Sequence, residues 1–322
     1  MLELTSAPTL AVEADASSAP QPFQYQGSKR ALGDTIRRAL PEAHRLVEPF
    51  AGSSAVTLAV AADGGAERFW LNDLNAPLIA LWGAIVEDPD ALVDAYAAWW
   101  RRGQDEDPKA VFFEARDAFN AAPRPELMLY LLARCVKGAV RYNQAGAFNQ
   151  SADNRRLGTR PETLRTRFAQ IASALRGRVE LTSLDFEAVL DRCTRRDVVY
   201  LDPPYEGVTR GASKRYLEGI DRDRLLDRLD DLVRRRVPFV LSFDGSSGGR
   251  TFGKPLPARL GLVRIDVRAG RSSTQTLHGR TAETVEALYL SPEAAKKSHL
   301  CVAACENGPE TSHLDSAGAD KV

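Results

Sequence analysis

The stretch Asp197–Gly207, DVVYLDPPYEG, constrains the fold more than any other part of the chain. Val198, Val199, Tyr200 and Leu201 make a short apolar, β-branched run that predicts a buried strand. The run stops at Asp202-Pro203-Pro204-Tyr205. Two consecutive prolines can neither continue a ladder nor start an ordinary helix, so the backbone leaves the sheet at Asp202 in a stiff, extended form. A carboxylate, a carbonyl without a ladder partner and an aromatic face are thereby gathered at a strand's carboxyl edge, where open α/β sheets bind ligands. Carboxylate and carbonyl are both acceptors and can together receive the two N–H bonds of an exocyclic amino group. Tyr205 offers a face on which a flat heterocycle can stack. The combination suits an amino-bearing base swung out of a nucleic acid helix. The plainer alternative is a strand-to-loop turn in which Asp202 caps and Tyr205 packs.

Upstream, Arg45-Leu46-Val47-Glu48-Pro49-Phe50 predicts a strand, Ala51-Gly52-Ser53-Ser54 a small-residue turn and Ala55 to Val60 the opening of a helix. Strand, glycine turn and helix form the first half of a nucleotide-binding βαβ unit. Neither GxGxxG nor GxxxxGK is present, so the turn suits a ligand other than a pyrophosphate. A second strand, Arg68 to Leu71, ends at Asn72-Asp73. An acid there commonly receives ribose hydroxyls, which makes Asp73 a candidate for binding a nucleoside; its alternative role is capping the helix that begins near Pro77. Before these, Gln26-Gly27-Ser28-Lys29 is a polar glycine turn ahead of the helical pattern Leu32, Ile36 and Leu40. A lysine in such a turn can meet a carboxylate or phosphate, or remain a solvated loop residue.

From about 83 to 178 the βα alternation lapses. Helices are predicted over Val86 to Trp100, Val111 to Asn120 and Glu126 to about Lys137, followed by the polar, aromatic-containing stretch Arg141 to Gln150. Between Arg134 and Arg178 ten Lys or Arg face two acids, Asp153 and Glu162, in a chain whose 43 basic and 43 acidic residues otherwise balance. That local excess suits a phosphate-contacting face, with the solvated helix face as the alternative for any single arginine. Asn side chains can pair with adenine edges and aromatics can fill the gap left by an extruded base.

The alternation resumes with the strand Val179 to Thr182 and a helix from Glu187 to Asp191. Asp185 between them can accept from an adenine amino group while Phe186 packs on the ring; otherwise Asp185 is an N-cap and Phe186 core. After the DPPY strand come a loop rich in Arg, Lys and Gly (Gly207 to Arg215), a helix from Arg222 to Arg236, and strands at Pro238 to Phe243, Leu260 to Val267 and Thr284 to Leu290. Residues 1 to about 20 and everything beyond Ser291 read as disordered tails.

Composition narrows the class further. With 322 residues, 44% hydrophobic and 27% charged, the chain is expected to be an ordinary cytoplasmic globular protein, with no membrane-spanning run and no secretory leader. Four scattered cysteines and four histidines complete no zinc pattern, so no metal is expected.

Taken in order, YQGSKR, VEPFAGSSAV, LNDLN, RYNQAGAFN, SLDF, VVYLDPPY and VPFVLSFDG resemble the D12 class of DNA adenine N6 methyltransferases, the Dam-like enzymes with the α order of motifs. The resemblance runs from about Gln24 to Leu290. It implies a Rossmann-like, S-adenosyl-L-methionine-dependent α/β sheet made of 21–82 and 179–290, with a mainly helical target-recognition insert at 83–178. It implies that Tyr25, Gly27, Lys29, Glu48, Phe50, Ala51, Gly52, Asp73, Asp185 and Phe186 hold the cofactor. Asp202, Pro203, Pro204 and Tyr205 would hold the flipped adenine, and Arg141, Tyr142, Asn143, Phe148, Asn149, Arg155 and Arg156 would meet double-stranded DNA. Such enzymes often accompany a restriction endonuclease. Two other readings remain open from the residues alone: a ribosomal RNA methyltransferase acting on a guanine amino group, and a catalytically silent DNA-binding module on the same fold.

Overall fold

The α/β alternation read from the sequence is realised in the computed structural model, which describes residues 9–204, 220–243, 246–247, 250–251, 256–271 and 283–301. The strands are β1 (Thr9–Glu13), β2 (Ala43–Glu48), β3 (Ala66–Asn72), β4 (Val179–Thr182), β5 (Asp197–Leu201), β6 (Phe239–Ser242), β7 (Ser246–Ser247), β8 (Arg250–Thr251), β9 (Val263–Arg271) and β10 (Glu283–Leu290). Among the described residues they form one sheet whose main path is β1-β9-β10-β6-β5-β2-β3-β4, with β7 on β10 and β8 on β7. From β4 across to β6 every pairing is parallel, and β10 runs antiparallel between β6 and β9.

Parallel neighbours need crossovers, which the helices supply. These are α1 (Gly33–Ala39) before β2, α2 (Ala55–Asp63) between β2 and β3, α3 (Ala76–Glu87) after β3, α8 (Phe186–Asp191) between β4 and β5, and α9 (Arg222–Arg235) between β5 and β6. The chain moves outward from β2 through β3 to β4, then returns to the other side of β2 for β5 and β6. The crevice at the carboxyl ends of β2 and β5 is therefore the topological switch point of the sheet. The Rossmann-like α/β class expected from the motifs is borne out.

Strand β5 is buried along its whole length because it lies between β2 and β6, so it reads as a continuous apolar run. Its side chains nonetheless alternate. Val198 and Tyr200 join the core that also holds Leu46, Phe69, Ile265 and Leu288, whereas Val199 and Leu201 join Val47, Trp70, Phe239 and Leu241 under α8 and α9. Helix α9 carries nine charged residues in RDRLLDRLDDLVRR, yet Leu225, Leu229 and Leu232 form one buried stripe at helical spacing.

The segment after α3 consists of α4 (Pro89–Asp105), α5 (Pro108–Ala121), α6 (Pro125–Arg134) and α7 (Pro161–Leu175). Each starts on a proline, whose fixed φ suits a first helical turn that needs no N–H. The side chains of Asp88 and Asp107 cap α4 and α5 by accepting from Ala91 and Lys109. The helix expected over Val86 to Trp100 is in fact split, because Asp88-Pro89 ends α3 and begins α4. The core is continuous from the sheet into these helices: Leu46, Trp82, Phe112, Tyr130 and Phe168 belong to one cluster.

Both expected tails differ from the structure where it is described. Residues 9–13 form β1, parallel to β9, and Ser17, Ala19 and Phe23 are buried beyond it. At the other end, the Ser291 hydroxyl accepts from Phe239 N–H at 3.0 Å and from Ala294 N–H at 3.2 Å, starting the short helix Pro292–Ala295. Neither segment is long enough to display a hydrophobic period. Their order comes from partners far away in sequence.

Candidate active site

Strand β2 delivers Glu48 and then the turn Pro49 to Ser54 into the switch-point crevice. Gly52 is left-handed (φ 48°), and a Cβ there would lie 3.2 Å from Tyr25 Cε1, so glycine is required by both backbone and ring. The turn is held on every side. Gly52 N–H donates to Asp73 Oδ2 at 3.0 Å, Trp82 Nε1–H donates to the Gly52 carbonyl at 3.0 Å, and Ala51 N–H donates to the Asn72 carbonyl at 2.8 Å. Ser53 Oγ–H donates to Ser28 Oγ at 2.8 Å, joining the turn to the Gly27 loop. The other Asp73 oxygen accepts from Asn75 N–H at 3.0 Å.

The Gly27 loop places Lys29 at the end of β5. Lys29 Nζ lies 2.8 Å from Asp202 Oδ1, with the two side chains 8% and 19% exposed. The loop lysine read from sequence therefore meets a carboxylate, and that carboxylate belongs to the DPPY tetrad. Burial pushes Asp202 above the usual carboxylate range, and the adjacent Lys29 cation pulls the other way. Glu48, buried one strand over, is pushed up to about 8 by burial, with Asp202 adding to the effect and the Thr57 N–H opposing it. Asp73 is also raised by burial, against the two backbone N–H groups of Asn75 and Gly52. Three carboxyl groups thus share a partly dehydrated crevice with one buried ammonium. Such a site favours a ligand that carries positive charge or donates hydrogen bonds.

Asn72 contributes to this architecture without having stood out in the sequence. It is fully buried at the end of β3, and its Nδ2 donates to the Pro49 and Leu184 carbonyls, both at 3.0 Å. Its Oδ1 accepts from Leu184 N–H and Thr182 Oγ1–H, both at 2.8 Å. One amide therefore ties the ends of β2, β3 and β4 together. A polar residue closing an apolar strand is a signal for such a role. Trp82 gives no comparable signal, since its ring fits the buried stripe of Leu78, Leu81 and Ile85 and only its N–H reaches the turn.

The residues after β4 are engaged differently from those after β3. Asp185 caps α8 by accepting from Glu187 N–H at 2.9 Å, and both its oxygens lie 3.1 Å from Arg224 Nη2. The Arg224 guanidinium also stands 5.3 Å from the Phe186 ring centre, and Phe186 packs against Phe50 at 5.5 Å. The two aromatic residues are brought together as one apolar wall, and Asp185 sits at its rim already paired. Pro203 is buried behind Asp202 and Pro204 half-buried. Tyr205, like the Gly207 to Arg215 loop, lies outside the described residues.

The stretch from Arg141 to Asn149 is a hairpin closed by the Tyr142–Phe148 bridge. Its tip is shaped by Asn143, whose Oδ1 accepts from Ala145 and Ala147 N–H at 3.0 and 2.9 Å. Asn143, Asn149 and Arg155 are exposed, and Arg141 and Arg156 half-buried. The Phe148 ring, a candidate for meeting DNA, is 1% exposed and packed on Phe119 and Tyr142, while its backbone is held by Asn120. Tyr142 faces inward as well, its hydroxyl donating to Asn75 Oδ1 at 3.0 Å. Arg156 bonds to Gln24 Oε1 and pairs with Asp153. Gln26 N–H donates to the Gly138 carbonyl at 3.0 Å, so the hairpin region and the Gly27 loop are stitched together.

Among the described residues no helix is long and apolar enough to cross a membrane, and no group of three or more His, Cys, Asp or Glu is placed to hold a metal ion. Cys135 and Cys193 are buried free thiols whose pKa values burial pushes up to about 11 and about 12.

Comparison with known proteins agrees with this arrangement. The family model for D12 class N6 adenine-specific DNA methyltransferases matches residues 25–244, which take in both the Gly27 loop and the DPPY strand. A DNA N-6-adenine-methyltransferase of Escherichia phage P1 is 30% identical over 234 residues, covering 70% of this chain and 30% of the phage protein. The Retron Ec67 DNA adenine methylase of Escherichia coli is 30% identical over 195 residues, 59% of this chain and 65% of its own length. A DNA adenine methylase of Escherichia coli strain K12 is 28% identical over 232 residues, 68% of this chain and 79% of its own. The chain thus spans less than a third of the phage relative and just under two thirds of the retron one. The chain belongs to the D12 class N6 adenine-specific DNA methyltransferase family.

Proposed function

We propose that the protein transfers a methyl group from S-adenosyl-L-methionine to N6 of an adenine flipped out of duplex DNA. The observation that carries this reading is Asp202: a largely buried carboxylate at the carboxyl end of β5, beside the switch point, held 2.8 Å from Lys29. The residues around it fit the cofactor by chemistry. A sulfonium with an amino acid end and a nucleoside end suits a crevice with three carboxyl groups, an ammonium and the Phe50–Phe186 wall. When bound, the cofactor supplies an electrophilic methyl group.

Asp202 and the Pro203 carbonyl would accept the two N–H bonds of adenine N6, turning the nitrogen lone pair out of conjugation and toward the methyl group. Lys29 opposes the effect of burial on Asp202, which favours the form that accepts rather than donates. Most of the acceleration would come from positioning and electrostatics, and no base is needed beforehand because a methylated ammonium loses its proton readily. Asp73 keeps lone pairs for ribose hydroxyls beyond its two backbone bonds. Asp185 would share its carboxylate between the adenine of the cofactor and Arg224. Tyr205 is given the stacking role from its sequence position alone.

The segment 83–178 is assigned target recognition, with Arg141, Asn143, Asn149, Arg155 and Arg156 as its DNA contacts. Tyr142 and Phe148 support the hairpin from within. The test is Asp202→Ala in the full chain, assayed with labelled cofactor on adenine-containing duplex DNA. Methylation should be abolished while cofactor affinity, read by calorimetry, stays close to wild type. Near-normal methylation by this variant would overturn the reading.

A further inference from the structure

At the opposite edge of the sheet from Asp202, the amino-terminal ends of β2, β3 and β4 and the approach to β5 enclose a cavity of about 410 Å³. Its wall carries Arg45, Arg68, Arg178 and Arg196 against two acids, Glu180 and Asp197. His44, also on the wall, lies 2.9 Å from Glu67, a third acid beside the site, so four guanidiniums stand against three carboxylates. In a chain of balanced overall charge this leaves a local surplus of positive charge in a concave site.

How the four guanidiniums are partnered decides what that surplus can do. Arg45 is neutralised, with Nε 2.8 Å from Asp197 Oδ1 and Nη1 3.5 Å from Glu180 Oε2. Arg178 instead donates to three backbone carbonyls, those of Glu67, Ala174 and Ala66, at 3.0, 3.1 and 2.6 Å. Arg68 donates through Nη1 to the Gly177 carbonyl at 2.8 Å. A carbonyl satisfies an N–H without cancelling the charge, so these two cations are fixed in place and left uncompensated. Arg196 has no side-chain partner among the described residues and is exposed at the rim. Arg68 and Arg196 therefore keep most of their N–H donors for an incoming ligand. Phe69 and Val179 supply apolar wall between the charges, which strengthens the field inside a cleft.

The geometry points to a second binding site, for a phosphoryl anion, formed by Arg68, Arg178 and Arg196 at the amino-terminal edge of the sheet. Three guanidinium forks suit a phosphate, whose oxygens can meet all of them at once where a carboxylate offers two, and two of the three are already immobilised. The site is separate from the switch-point crevice and does not depend on the methyl-transfer reading. The phosphoryl group can come from a small phosphorylated molecule or from the phosphodiester backbone of a nucleic acid.

The test uses the full chain and the double variant Arg68→Ala/Arg196→Ala, whose side chains lie outside both cores and outside the candidate active site. Inorganic phosphate and, separately, a duplex of G·C pairs only, which offers no adenine, are titrated by calorimetry at low salt. Thermal melting confirms that the variant is folded. Phosphate affinity falling roughly tenfold or more in the variant, in keeping with the loss of charge-assisted bonds, supports the site with a small anion as its ligand. An unchanged or undetectable phosphate response with a similar fall in duplex affinity supports the site with the nucleic acid backbone as its ligand. Equal affinities of wild type and variant for both probes overturn it.

Discussion

Replacing Glu48 by Gln should make the protein more stable at alkaline pH, and the size of the gain can be worked from the site. Glu48 is 2% exposed, and its Oε1 accepts the Thr57 N–H at 2.7 Å in the first turn of α2. Burial raises its pKa from an ordinary 4.5 to about 8. Because the folded value lies above the unfolded one, the folded state holds a proton that the unfolded state gives up. The stabilising contribution of Glu48 is therefore complete below pH 4.5, shrinks as pH rises, and is lost above about 8. At about 1.4 kcal/mol per tenfold change in proton affinity, that interval corresponds to a ceiling of about 5 kcal/mol.

Glu48→Gln keeps an oxygen for the Thr57 N–H and removes the titration. Urea unfolding at pH 5.5 and pH 8.5, roughly bracketing the change, is the assay. Relative to wild type, the variant should gain about 3 kcal/mol between the two conditions, since pH 5.5 already lies above the unfolded value. Stability curves that stay parallel would refute the reasoning. They would mean that the N-terminus of α2 and the Thr57 N–H hold Glu48 ionised in the fold, so that burial does not dominate.

Three further outcomes are expected. Lys29→Met removes the cation that lowers the Asp202 pKa, so the acidic limb of the methylation pH profile should move to higher pH; an unmoved limb would exclude Lys29 from controlling Asp202. Asn72→Ala leaves the Pro49 and Leu184 carbonyls, the Leu184 N–H and the Thr182 hydroxyl without their shared partner. It should cost about 3–5 kcal/mol in chemical denaturation, and a loss under about 1 kcal/mol would show that the strand ends do not depend on it. Gly138→Ala meets a left-handed backbone (φ 60°) and a Gln24 carbonyl oxygen 3.0 Å from the new Cβ, for a loss of about 1–3 kcal/mol in the same assay.

What could be read from the sequence depended on how local the cause was. The buried strands β2, β3 and β5 announce themselves because a central parallel strand is apolar on both faces, and the acids Asp73 and Asp202 stand out by ending such runs. The break at Asp88-Pro89 has a local cause too, although the apolar residues on either side read as one helix. Strand β1, by contrast, is five residues in an Ala- and Ser-rich stretch, and only its ladder with β9 makes it a strand. The links of Arg224 to Asp185, Trp82 to Gly52 and Tyr142 to Asn75 join residues 39, 30 and 67 positions apart, which no spacing rule foresees. Phe148 is a related case, since it stands among polar neighbours in the sequence and only the fold brings Phe119 and Tyr142 around its ring.

These long-range bonds also bear on how recognition and chemistry would be joined. Tyr142 in the hairpin bonds Asn75 through its side chain, and the Asn75 backbone N–H donates to Asp73, whose second oxygen holds the Gly52 N–H. The Gly52 carbonyl is held in turn by Trp82 from the buried face of α3. A parallel link runs from Gly138 through Gln26 to the loop that carries Lys29. The groups in these chains are backbone N–H and carbonyl groups, the Asp73 carboxylate, the Asn75 side-chain amide and two aromatic side chains, all with little rotameric freedom to lose. The glycine turn, the Asp73 carboxylate and the Lys29–Asp202 pair are thus set before a ligand arrives, which reduces the ordering that binding must pay for. The same links make the hairpin part of the frame of the crevice. A displacement of Tyr142 or Gly138 by a duplex would therefore be felt first at Asp73 and Lys29, the two groups on either side of the turn.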